Sequence, residues 1–91
     1  VAAYSITFNP LQVIDRGDFE RVIKAISVDS IQVFDFQYLI KSDLTLDSIT
    51  TTISACLTNN SPLFVCLLDT RLHGSKFLEP LVADQVIQVL S

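Results

Sequence analysis

IQVFDFQY, residues 31 to 38, is the stretch whose reading decides the fold. Side chains alternate along an extended chain. As one strand it puts Ile31, Val33 and Asp35 on one face and Gln32, Phe34, Phe36 and Tyr38 on the other. Both faces are then largely apolar, as in a central strand covered on both sides. A helical pattern follows. TLDSITTTISACLT, residues 45 to 58, lines up Leu46, Ile49, Ile53, Cys56 and Leu57 on one face. Thr45 suits the N-cap and Asp47 the positive end of the helix. The threonine run at 50 to 52 is poor helix material, so this helix relies on packing. Asn59, Asn60, Ser61 and Pro62 end it. LFVCLL, residues 63 to 68, is a continuous apolar run, the pattern of a strand buried on both faces. Strand, helix and buried strand make a right-handed βαβ unit.

Upstream, YSITF at 4 to 8 alternates as a strand and Asn9-Pro10 breaks it. DFERVIKAIS at 18 to 27 places Phe19, Val22, Ile23 and Ile26 on one helical face. Downstream, residues 79 to 91 admit two readings. Pro80 suits the first turn of a helix. The β-branched Val86, Ile87 and Val89 favour a strand over 85 to 90, and the strand is preferred. The expected fold is therefore a small single α/β domain spanning 1 to 91. It has a β-α-β-α-β core, a mostly parallel sheet and a possible fourth strand at the C-terminus. The runner-up is a ferredoxin-like α+β arrangement. That arrangement needs a hairpin between two strands, and no good hairpin turn is visible.

The 91 residues suffice for one domain with one core. Apolar residues make up 49%, which argues against disorder. There is no Met and the sequence opens on Val1, so a domain excised from a larger protein is expected. Six basic residues stand against ten acidic ones, for a net charge of −4. Without a basic stripe, nucleic-acid binding and attraction to an anionic membrane are disfavoured. The longest apolar run is too short to cross a bilayer. Cys56 and Cys66 have no metal-like spacing and read as core thiols, slightly favouring a reducing, cytoplasmic compartment.

YSITFN (4 to 9), RGDF (16 to 19) and NNSPLFVC (59 to 66) resemble short segments of the C-terminal subdomain of the coronavirus replicase Y region. The matched positions are strand and turn residues common to α/β domains, and the resemblance implies no functional residue.

Arg16-Gly17-Asp18 is the integrin-recognition tripeptide. By average composition it arises by chance in about one chain in fifty of this length. Asp15 or Asp18 equally suits a helix N-cap, and the capping reading is preferred. In open α/β sheets ligands collect at the carboxyl ends of the strands. Asn9, Asp35 and the segment DTRLHG, residues 69 to 74, are so placed. Asp35, Asp69 and His73 are the catalytic candidates. The two carboxylates suit a hard cation and the imidazole acid–base chemistry. Arg71 and Thr70 are the candidate ligand-binding pair, Arg71 by clamping a phosphate or carboxylate. No zinc cluster, Gly-rich phosphate loop or nucleophile elbow is present, and no cofactor is implied. The leading expectation is a non-catalytic protein–protein interaction or assembly module, pairing with a protein partner or with itself through strand 85 to 90. The alternative is a small-anion, nucleotide or metal-binding or hydrolytic domain using Asp35, Asp69, Arg71 and His73.

Overall fold

Residues 31 to 38 form the two sides of a hairpin, and the parallel sheet falls with that single change. The computed structural model describes residues 2–58, 61–68 and 80–90. Within them β2 (Asp29–Phe34) turns through Asp35 and Phe36 into β3 (Gln37–Ser42). Phe34 pairs directly with Gln37, and the register shifts between Gln32 and Phe34. Such a bulge bends and twists a strand. Asp favours turns because its short carboxylate bonds nearby backbone. The Phe34 and Phe36 rings stack across the turn, 5.4 Å apart and 9° from parallel. The turn therefore lacks the Asn-Gly signature of a tight hairpin and is held by an aromatic pair.

β3 then alternates cleanly. Tyr38, Ile40 and Ser42 are buried, while Gln37, Leu39 and Lys41 are half-buried. β1 (Ala2–Phe8) lies beside it and pairs antiparallel with β3 on one side. On its other side it pairs antiparallel with β4 (Leu63–Leu67). The strand order is β2-β3-β1-β4, and every neighbouring pair is antiparallel. The expected mostly parallel sheet is thus corrected to a four-stranded antiparallel one. β3 and β4 do run the same way, as a βαβ unit requires, but β1 is inserted between them. With α1 (Arg16–Ile26) and α2 (Leu46–Ser54) the order through β4 is β-α-β-β-α-β, the split βαβ, ferredoxin-like connectivity.

Both helices cover one face of the sheet. Tyr4, Ile6 and Phe8 of β1 and Tyr38 and Ile40 of β3 pack there with Phe19, Ile23, Ile49, Ile53 and Leu57. α2 begins where expected, since the Thr45 hydroxyl accepts from the Ser48 amide at 3.2 Å. It ends at Ser54, short of residue 58. Thr50 and Thr52 turn their hydroxyls back onto the carbonyls of Leu46 and Ser48, both at 2.8 Å. That local bonding competes with helix propagation.

The tail is the second correction. Pro80–Leu90 is a helix, α3, and residues 85 to 90 form no strand. Val82, Val86 and Leu90 recur every fourth residue and pack against Ala3, Ile31, Val33, Leu39 and Leu68. α3 thereby covers part of the opposite sheet face and makes a third layer. Burial at helical spacing outweighs the β-branched preference of the same residues.

The two exposures within α3 make this testable. Ile87 is exposed and Leu90 is buried. Ile87→Ala should leave the melting temperature unchanged or raise it, because alanine is the better helix former. Leu90→Ala should cost about 2 kcal/mol or more through the cavity it leaves. Equal losses in a pair of denaturant titrations would argue against the helix.

Candidate functional site

The Arg16-Gly17-Asp18 triplet is the first turn of α1. The Asp15 carboxylate accepts from the Asp18 amide at 3.0 Å and caps the helix. Asp18 pairs with Arg21. Arg16 folds inward over three rings, its guanidinium carbon 5.6 Å from the Phe8 centroid and 5.8 Å from those of Phe19 and Tyr38. It also donates to the Tyr38 hydroxyl at 3.3 Å and pairs with Glu20 at 3.5 Å. A partly exposed cation over aromatic faces is held by the ring quadrupoles, worth about 0.5 to 1 kcal/mol. Integrin recognition needs this triplet on a mobile loop, so the capping reading stands.

Asp35 does not lie within a strand interior. It is exposed at the tip of the β2–β3 turn. Asp69, Thr70, Arg71 and His73 lie outside the described residues. In a parallel sheet the carboxyl ends of the strands share one side. Here they alternate. The turn holding Asp35 sits beside Phe8, whose amide donates to the Phe36 carbonyl at 2.9 Å. Leu68 donates to the Ala3 carbonyl at 2.9 Å, at the other end of β1. Five residue steps of strand separate Ala3 from Phe8, about 17 Å. Asn9 caps a short 3₁₀ turn, its side chain accepting from the Leu11 amide at 3.0 Å. Among the described residues no group of three or more His, Cys, Asp or Glu side chains is placed to hold a metal.

What the described residues do bring together is an open strand edge with apolar surroundings. β4 is not buried on both faces, contrary to the reading of LFVCLL. It is an edge strand whose one partner among the described residues is β1. Because Leu68 bonds Ala3, the pairs Ser5–Cys66 and Thr7–Phe64 are the next hydrogen-bonded ones on the same ladder. Phe64 and Cys66 therefore spend their backbone groups on β1. Leu63, Val65 and Leu67 direct theirs outward. The strand has no charge, proline or bulge to blunt pairing, the usual protections of an edge. The opposite edge, β2, opens on Asp29 and carries the bulge.

Phe64 is 65% exposed and Leu67 is 58% exposed, on opposite faces of this edge. A shallow apolar cleft beside it is lined by Thr7, Phe8, Pro62, Leu63 and Phe64. Gln37, Thr7 and Phe64 form a row across three strands. The Gln37 amide donates to Ser5 at 3.0 Å and Thr7 at 3.5 Å within that face. Cys66, half-buried on the same face, is not bonded to Cys56. Burial raises the Cys56 thiol pKa.

Comparison with protein-family models, with curated proteins and with solved structures finds no match to this chain. Among the described residues no helix is long and apolar enough to cross a membrane.

Tyr38 provides a test of the Arg16 cluster. Burial pushes its phenol above the ordinary value of 10.0, partly offset by Arg16. The neutral phenol is the form the fold favours. Its contribution is therefore fully present below the unfolded pKa and is lost as pH rises from about 10 through the raised folded value. Alkaline melting curves of Tyr38→Phe should fall less steeply above that pH than those of the parent chain. Identical slopes would show that the phenol is not held in its neutral form.

Proposed function

We propose that this domain is a non-catalytic interaction or assembly module of a larger protein, and that β4 is the element through which it makes contact. The observation that supports this reading most is the outward row of Leu63, Val65 and Leu67. Their backbone donors and acceptors meet no ladder partner among the described residues, on a strand without charge. An exposed edge of this kind binds an extended segment by adding a strand, with main-chain hydrogen bonds supplying affinity and side-chain pockets supplying choice. Phe64, Leu67 and the cleft at Pro62 and Leu63 provide the apolar area around it. Strand addition through residues 85 to 90 is withdrawn, because those residues are helical.

The competing class is a domain that binds a small anion, nucleotide or metal ion. Thermal-shift measurements with nucleotides, sugar phosphates, inorganic phosphate, Mg²⁺, Mn²⁺ and Ca²⁺ separate the two. The module reading expects no shift from any of them. A ligand at one hundred times its dissociation constant would stabilise by about 2.7 kcal/mol. Such a shift, abolished by Arg71→Ala, would replace the module with a ligand-binding domain.

A further inference from the structure

Resting on the module reading, we propose that the strand β4 accepts is β4 of a second copy of this chain, antiparallel, about a two-fold axis passing beside Val65. Leu63, Val65 and Leu67 direct their N–H and C=O groups away from β1. In an antiparallel ladder, residues that exchange both hydrogen bonds recur every second position. Centring the pair on Val65 sets Val65 opposite Val65 of the other copy, and Leu63 opposite its Leu67. Every outward donor and acceptor of these three residues then finds a partner, for about six hydrogen bonds in all. A shift of one residue would oppose outward groups to groups already spent on β1. The two-fold arrangement is also closed, so it yields a dimer and not a fibre.

Charge on the strand is compatible with this occupant. The chain carries a net charge of −4, so two copies carry a net mutual repulsion. Residues 58 to 68 contain no charged side chain. Two copies meeting along β4 therefore set no like charges opposite each other, the arrangement that destabilises paired strands. A strongly basic or acidic segment would find no counter-charge on this strand. The side chains match as well. The exposed Leu67 of one copy meets Leu63 of the other on the helix-covered side. The exposed Phe64 meets Cys66 of the other copy on the opposite side. The two sheets join into one of eight strands.

The register makes the test specific. Phe64 and Cys66 of the two copies form a non-hydrogen-bonded pair, with Cα atoms about 4.5 Å apart. That lies within the span of a disulfide, whereas the diagonal separation of like residues, about 7 to 8 Å, lies beyond it. Phe64→Cys in a Cys56→Ala background, oxidised with diamide, should give a covalent dimer on a non-reducing gel. Adding Cys66→Ser leaves cysteine at position 64 alone and should slow crosslinking about tenfold or more. Equal crosslinking with and without Cys66 would overturn the register. Sedimentation of the unmodified chain guards against a misfolded variant: it should show a concentration-dependent dimer that Leu67→Lys weakens at least tenfold. A chain that stays monomeric and uncrosslinked overturns self-pairing but leaves the module reading, which falls separately to a ligand-induced thermal shift.

Discussion

β1 hydrogen-bonds on both of its sides, and most of the molecule follows from that. Its even residues pair toward β3, as Phe8 does with Phe36, and its odd residues toward β4, as Ala3 does with Leu68. Tyr4, Ile6 and Phe8 all face α1 and α2, so one strand supplies the centre of the main core. The far end is fastened by Phe8, Phe19 and Tyr38, whose rings stand 4.7 to 5.9 Å apart and come from β1, α1 and β3. Arg16 closes the cluster from the first turn of α1. It satisfies its charge on Glu20 and covers the three rings with its guanidinium. An arginine that looked like a recognition residue thus ties three elements together.

The sequence carried the helices better than the sheet. Phe19 and Ile23 in α1, and Ile49 and Ile53 in α2, each four residues apart, mark faces that are buried as their periodicity implies. Asp15 and Thr45 cap as short polar residues do. The sheet order was hidden because strand direction depends on one turn. Asp35-Phe36 is not a favoured turn pair, and its support comes from the Phe34 ring, two residues away in sequence. The alternation of Tyr38, Ile40 and Ser42 was the available sign that extended chain continued past Tyr38. The C-terminal segment failed for a different reason. Val82, Val86 and Leu90 fit a helix face, yet Val86, Ile87 and Val89 also suit a strand. Only the waiting apolar surface of Ala3, Ile31 and Leu39 decides between them.

The position of LFVCLL bears most on function. An apolar run suits a strand buried on both faces, and it equally suits an edge strand that expects company. Length and composition do not separate these cases; strand order does. Once β1 takes the place between β3 and β4, β4 is pushed to the rim with Phe64 and Leu67 exposed. The same rearrangement places the Asp35 turn and Leu68 at opposite ends of β1. A charge-free edge is a hazard for a protein that works alone. It is an asset for one that assembles.

Residue-resolved amide hydrogen exchange tests the central claim, that β4 offers an open edge which assembly closes. In dilute protein the amides of Phe64, Cys66 and Leu68 should be protected by β1, while those of Leu63, Val65 and Leu67 exchange freely. On concentration the second set should gain protection and the first should change little. Strong protection of Leu63, Val65 and Leu67 already in dilute protein would mean the edge is closed within the chain, and the account would be wrong.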